Sequence, residues 1–174
     1  MRAAWLLTCG AVLATPLAAQ AFPPPPVQRT RHGGTQVGLF GFGVWSGLDV
    51  RGSGQVVLGA ALDIGNVAIS RLRLRPSAEI AILNGANTYT GNFEVLYRFA
   101  DDKPATVPYA GGGIALAGHA GCGTGSGCPA AWVNAVVGIE VRYRSTFSWM
   151  LEYRALDAFQ HNRFCVGLTT RRGS

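Results

Sequence analysis

The sequence predicts an all-β protein, an eight-stranded antiparallel up-and-down transmembrane β-barrel. Eight runs of residues alternate in character with a period of two, and clusters of Gly, Asn, Asp, Ser or Pro separate them. No helical periodicity competes with these runs. Within most runs the charged residues share one side and bulky aromatic residues share the other. With 48% hydrophobic residues, 14% charged residues and 24 glycines, the composition also departs from that of an ordinary soluble domain.

The N-terminal region is expected to direct export. Arg2 supplies a positive charge, residues 3–14 are mostly apolar, and the end Ala19-Gln20-Ala21 suits signal peptidase. Residues 22–34 contain four consecutive prolines and are expected to form an extended periplasmic leader. No later stretch reaches the roughly eighteen apolar residues of a membrane helix. The predicted organisation is a signal peptide at 1–21, a Pro-rich leader at 22–34 and one barrel domain at 35–172.

The alternating runs define the strands in chain order. They cover residues 35–45, 55–64, 68–83, 88–100, 107–117, 131–144, 146–156 and 161–171. Connections after the odd-numbered runs are mostly longer than those after the even-numbered runs, which is typical of a barrel with outside loops and periplasmic turns. The outside loops are predicted near residues 45–54, 118–130 and 156–161.

The first three runs differ in how clearly they separate two faces. TQVGLFGFGVW is apolar in both phases, and the second run contributes one charge, Asp63. The third run, RLRLRPSAEIAIL, separates its faces almost completely, because Leu72 and Ile80 share an apolar phase while Arg73 and Glu79 share the other. This third run sets the pattern that most later runs repeat.

The remaining runs extend the same separation around the predicted ring. In YTGNFEVLYRF the aromatic residues oppose Glu94 and Arg98, and in AWVNAVVGIEVRYR the valines at 133, 137 and 141 oppose Glu140. VPYAGGGIALAG is rich in glycine, while FSWMLEYR and RFCVGLTTR again divide aromatic or aliphatic residues from charges. The charged phases supply the candidate lumen salt-bridge residues Arg71, Arg73, Arg75, Glu79, Glu94, Arg98, Glu140, Arg142, Glu152, Arg154 and Arg163.

Alternation alone does not say which face lies inside, because a soluble barrel shows the same period with an apolar interior. Three features favour an apolar exterior. The apolar phase holds too many aromatic rings for the narrow interior of eight strands. The cations of the polar phase are arginines, whose planar fork suits buried carboxylates, and the sole lysine is Lys103 in a turn. Glycines such as Gly138 and Gly167 interleave with the charges and leave room for them. The apolar phase is therefore predicted to face lipid.

Residues 35–172 resemble the small eight-stranded bacterial outer-membrane barrels, the OmpA-like or opacity-type group, on the third and sixth runs, VPYAGGGIALAG, WMLEYRALD and RFCVGLTTR. The resemblance implies a monomer in the outer membrane of a Gram-negative-type bacterium after signal cleavage. It also implies contact with outer-membrane lipid and lipopolysaccharide, and a surface ligand held by the loops. The formal charge of +6 does not predict a nucleic-acid partner, because the charges are expected inside the ring.

The leading functional hypothesis is a structural or surface-interaction barrel whose lumen is plugged by Arg/Glu pairs. The alternative is a narrow channel or a lipid-modifying enzyme. His161 could form a hydrolase triad with Ser148 and Glu152, but the residues after it are Asn162 and Arg163 in place of the His-x-Ser arrangement of lipid A deacylases. No enzyme activity, catalytic residue or cofactor is therefore predicted.

The cysteines suggest a disulfide more strongly than a metal site. Cys122 and Cys128 bracket a short glycine-rich loop and can pair in an oxidising compartment. His119 could join them as a metal ligand, but the loop offers no fourth ligand, so no metal is predicted. Cys165 is expected to be a small filler of the lumen.

Overall fold

The computed structural model describes residues 34–50, 54–100, 104–122 and 128–170. The predicted signal peptide and the leader up to residue 33 lie outside the described residues. The eight strands are β1 (Gln36–Asp49), β2 (Val56–Asn66), β3 (Leu72–Ile82), β4 (Thr88–Arg98), β5 (Thr106–His119), β6 (Ala130–Arg142), β7 (Phe147–Leu156) and β8 (His161–Thr170).

The strands form a closed antiparallel barrel in which each strand pairs with its neighbours in sequence and β8 pairs with β1. The predicted eight-stranded up-and-down topology is confirmed. Connections after odd-numbered strands lie at one end of the barrel, here called the loop end, and connections after even-numbered strands lie at the other, the turn end. Over the described ranges, no helix has the length and apolar character needed to cross a membrane.

Side chains alternate between the lumen and the outer surface along the strands. On β6, Val133 and Val137 are 72% and 52% exposed, whereas Asn134 and Val136 are each 3% exposed. The same division holds on β4, where Phe93 is on the outer surface and Glu94 is fully buried. The apolar phase of the sequence therefore faces outward, and the charged phase faces the lumen.

Strand β1 continues to Asp49, so the loop predicted to start at Trp45 was placed too early. Trp45 lies within the strand, and its side chain is 5% exposed inside the barrel. The residues after Trp45 resembled a loop because they include Gly47. In the barrel this glycine permits close approach of β8, since an added Cβ would lie 2.7 Å from Cys165 Sγ.

The other strand boundaries lie closer to those predicted from the sequence, except at the start of β3. Strand β3 begins at Leu72 and not near residue 68. The preceding turn holds Ala68 at a φ of 60° and closes with a hydrogen bond of 2.9 Å from Val67 N to Leu72 O. A left-handed residue interrupts the extended conformation, which is why the alternation cannot continue through it. Strand β5 runs to His119, so the loop predicted from Gly118 also begins later.

Candidate functional site in the barrel lumen

Arg154 of β7 lies in the lumen and is 1% exposed. Its guanidinium contacts three carboxylates, those of Glu79 on β3, Glu94 on β4 and Glu152 on its own strand. Nη2 donates to both oxygens of Glu94, at 2.8 and 2.9 Å. Because β3 and β4 lie across the ring from β7, this side chain connects opposite walls of the barrel.

Arg75 of β3 reaches two of the same carboxylates. Its Nη1 donates to Glu152 Oε2 at 2.7 Å, and its Nε donates to Glu94 Oε2 at 2.8 Å. The hydroxyl of Tyr109 on β5 donates to the same Glu152 oxygen, also at 2.7 Å. Charge-assisted hydrogen bonds from several donors offset the cost of removing these carboxylates from water. The result is a network in which each glutamate is shared between cations.

Two aromatic rings pack against this network of arginines and glutamates. They belong to Trp45 of β1 and Tyr109 of β5. Trp45 Nε1 donates to Glu79 Oε1 at 3.2 Å. The ring centroid of Trp45 is 4.8 Å from the guanidinium carbon of Arg154 and 5.9 Å from that of Arg75, and the Tyr109 centroid is 5.8 Å from Arg75. These distances allow cation–π attraction in addition to the ion pairs.

Neither aromatic residue is among the site residues that the pattern of charges predicts. A different signal in the sequence could have identified them, namely glycine at their cross-strand partners. Trp45 pairs in register with Gly59 and Gly167, and Tyr109 pairs with Gly138. Each large inward ring therefore lies beside a glycine on a neighbouring strand, where no side chain competes for the same space.

A neutral polar layer lies beside the carboxylates. Asn134 of β6 donates through Nδ2 to Glu94 Oε1 at 3.0 Å, and Asn92 of β4 donates to Ser77 Oγ at 3.2 Å. All three of these neutral side chains are buried. The amides extend the hydrogen-bonded network across the lumen without adding charge.

Arg163 of β8 carries the network towards the loop end. It contacts Glu79, and its Nε donates to Asp49 Oδ2 at 3.3 Å. The same Asp49 oxygen lies 3.0 Å from His161 Nδ1, and the His161 ring stacks on Trp132 with a centroid separation of 5.0 Å. Asp49 was not predicted as a site residue, because it falls outside the first strand as predicted from the sequence.

The hydrolase triad considered from the sequence is not assembled. Ser148 is the second residue of β7, and His161 pairs in register with Leu156 at the other end of that strand. Eight residues of strand at about 3.3 Å each put these two positions roughly 26 Å apart. Glu152 is engaged with Arg75, Arg154 and Tyr109.

Two further ion pairs lie towards the turn end of the lumen. Arg98 Nη2 lies 2.7 Å from Glu140 Oε2, and Arg73 Nη1 lies 3.2 Å from Asp63 Oδ2. These four side chains, together with Arg75, line a cavity of about 40 Å³ near the turn end. A volume of this size is large enough to hold ordered water.

Two of the predicted lumen arginines lie beyond these pairs. Arg71 is half-buried and precedes β3, in the connection at the turn end. Arg142 is the last residue of β6, and its side chain is exposed at the turn end. Arg142 continues the inward phase of β6, but the strand ends at this residue.

The predicted disulfide between Cys122 and Cys128 is confirmed, and it lies in the connection between β5 and β6 at the loop end. The candidate ligand atoms of His119 and the two cysteines lie within 4.8 Å of one another, with both sulfurs joined in the bridge. Cys165 has a free thiol and is 4% exposed on the inward face of β8.

Solved structures align with the described barrel. The N-terminal β-barrel domain of Pseudomonas aeruginosa OprF aligns with a TM-score of 0.60 at 11% identity, over 78% of this chain and 98% of that chain. A barrel from the de novo design of transmembrane β-barrels aligns with a TM-score of 0.52 at 14% identity, over 78% and 98%. The outer membrane enzyme PagL aligns with a TM-score of 0.45 at 13% identity, over 75% and 99%.

No protein-family model matches the chain. No curated protein matches it either. The first two structural alignments show the fold, which is that of a small eight-stranded transmembrane β-barrel.

Proposed function

We propose that the chain is an integral outer-membrane protein of a Gram-negative-type bacterium, exported through its N-terminal signal. Its lumen is closed by the Arg/Glu network, and its role is structural or based on surface interaction through the loop end. The observation that carries this proposal is the inverted distribution of side chains. Phe93 and Val137 are 44% and 52% exposed on the outside, whereas Glu94 and Arg154 are at most 1% exposed inside.

The outer surface has the dimensions that a bilayer requires. On β6 and its continuation, the bulky apolar residues of the outward face run from Val133 to Tyr143. Ten residues at about 3.3 Å each, tilted by about 40°, give a height of roughly 25 Å, which matches the apolar band of outer-membrane barrels. Tyr143 and Trp149 lie near the border of this band at the turn end, where aromatic rings favour the membrane interface.

The closed lumen is supported by the contacts of Arg154 and Arg75. Both side chains cross the interior to carboxylates on other strands, and Trp45 and Tyr109 fill the space between them. An eight-stranded ring is just wide enough to be filled by its own side chains. We therefore expect no passage for solutes, and we place the functional contacts at the loop end, where lipopolysaccharide or a surface ligand would meet the protein.

Gel migration in detergent with and without boiling tests the membrane barrel. A folded barrel migrates differently before and after boiling, and identical mobility after refolding into vesicles would contradict the proposal. Planar-bilayer recording tests the closed lumen separately. We expect no steady conductance from the wild type, and conductance that is lost on replacing Arg98 would instead support the narrow channel.

A further inference from the structure

The connection between β6 and β7 combines positive charge, hydroxyl groups and aromatic rings at the turn end. The sequence from Val141 to Leu151 contains Arg142 and Arg144 and no acidic residue. The side chains from Arg142 to Phe147 are exposed, and they include the hydroxyls of Ser145 and Thr146. The nearby acid of β6, Glu140, points into the lumen and pairs with Arg98.

Two backbone hydrogen bonds close the turn. The amides of Tyr143 and Arg144 both donate to the carbonyl oxygen of Phe147, at 3.1 and 3.0 Å. The guanidinium carbon of Arg144 lies 5.3 Å from the centroid of the Tyr143 ring. The Tyr143 ring in turn meets Trp149 edge to face, with centroids 6.1 Å apart and an interplanar angle of 63°. Arg144, Tyr143 and Trp149 thus form a continuous cluster, here called the rim cluster.

The rim cluster offers the chemistry that recognises a phosphate group. A stacked guanidinium keeps its planar fork of donors available, and this fork matches the oxygens of a phosphate. Among the described residues, no acidic side chain forms an ion pair with Arg144. The hydroxyls of Ser145 and Thr146 lie one and two positions further along the same exposed turn.

The position of the rim cluster identifies the source of the phosphate. Trp149 is 45% exposed on the outer surface, directly beside Val141 and Leu168 in the strand register. These neighbours belong to the face that meets acyl chains under the proposed function. A soluble phosphate would use the arginine alone, whereas a phospholipid would contact the arginine through its headgroup and the aromatic rings through its glycerol and acyl groups.

We infer that the rim cluster binds the headgroup phosphate of an anionic glycerophospholipid in the leaflet around the turn end. This inference rests on the proposed membrane function. One arginine near a membrane surface favours an anionic lipid by roughly fivefold, and the effect weakens as salt screens the charge.

Quenching of tryptophan fluorescence by brominated lipids tests the inference, because the quencher acts only on contact. The chain has four tryptophans, of which Trp45 is buried in the lumen and Trp132 stacks there on His161. A Trp5→Phe background removes the tryptophan of the predicted signal peptide, so quenching reports mainly on Trp149. The full chain is refolded into phosphatidylcholine vesicles that contain an equal fraction of brominated phosphatidylglycerol or brominated phosphatidylcholine.

We expect brominated phosphatidylglycerol to compete for the site about fivefold better than brominated phosphatidylcholine at low salt. Arg144→Gln should bring the ratio close to one, while Arg51→Gln, which removes the same charge from the connection between β1 and β2, should leave it unchanged. Equal quenching by both lipids in the wild type would overturn the inference. So would a preference for phosphatidylglycerol that remains in Arg144→Gln, or a preference that falls equally in Arg144→Gln and Arg51→Gln.

Gel mobility of the same samples separates this result from a failure of the proposed function. A wild type with heat-modifiable mobility and equal quenching by both lipids contradicts only the rim cluster site. A chain with one mobility and no quenching by either lipid contradicts the membrane barrel, and the lipid site with it. Free inorganic phosphate added to the vesicles should not change the ratio, and a change would assign the site to soluble phosphate.

Discussion

Trp45 and Gly59 face each other across the β1–β2 pair, and a Cβ added at Gly59 would lie 2.6 Å from Cζ2 of the Trp45 ring. The tryptophan occupies the volume that a side chain at residue 59 would need. Through this position it also reaches Glu79 and the guanidinium of Arg154. The packing of one aromatic ring is thereby coupled to the ion-pair network.

Gly59→Ala should destabilise the barrel by about 1 to 3 kcal/mol, because the added methyl group displaces the Trp45 ring from a filled interior. Urea titration of the protein in vesicles, followed by gel mobility, measures this change. Gly91→Ala is the matched control, since an added Cβ at Gly91 meets no atom within 4 Å. Equal unfolding midpoints for the two variants would contradict the packing described for Trp45.

Arg154→Met should lower the free energy of unfolding by about 3 to 5 kcal/mol, because it leaves buried glutamates without their shared cation. Arg144→Met removes an arginine from an exposed turn and should change stability by less than about 0.5 kcal/mol. Unfolding midpoints in urea compare the two variants directly. A similar small effect in both would indicate that Glu79 and Glu94 do not depend on Arg154.

Tyr109→Phe should cost about 1.5 to 3 kcal/mol, since it removes a buried hydrogen bond of 2.7 Å to the Glu152 carboxylate. Tyr89→Phe deletes the hydroxyl of a tyrosine that is 50% exposed on the outer surface and should be nearly neutral. The same urea titration applies. Equal stability of Tyr109→Phe and the wild type would show that the Tyr109 hydroxyl does not contribute to the network.

Spin labels at residues 137 and 140 should report opposite environments in a vesicle. Val137→Cys, in a Cys165→Ala background, should be relaxed by oxygen dissolved in the lipid. Glu140→Cys, beside the cavity at the turn end, should be relaxed by an aqueous nickel chelate. The reverse pattern in electron paramagnetic resonance would mean that the apolar face does not contact lipid.

The topology could be predicted from the sequence, and so could which side chains of most strands face the lumen. Both predictions were possible because polar and apolar residues alternate with the pleat of each strand. Strand β3 shows this most clearly, since its arginines and Glu79 fall on one side of the pleat. Strand β1 was less predictable because its inward positions differ from its outward ones in size more than in polarity. Gly43, Trp45 and Gly47 point inward, and no charge marks that face until Asp49.

The partners within the network could not be predicted in the same way. Arg154 contacts Glu79 and Glu94 across the lumen, at separations of 75 and 60 residues. Such contacts depend on how the closed ring aligns strands that are not hydrogen-bonded to each other, and alternation along one strand does not contain this information. The sequence therefore predicts which residues enter the lumen more readily than which residues meet there.

The pairing of β1 with β8, from Gly43 with Thr169 to Asp49 with Arg163, has a consequence for biogenesis. The first strand to leave the ribosome finds its second partner only when the last strand has been translated. A nascent or truncated polypeptide would therefore present two unsatisfied strand edges, and such edges are templates for pairing with another chain.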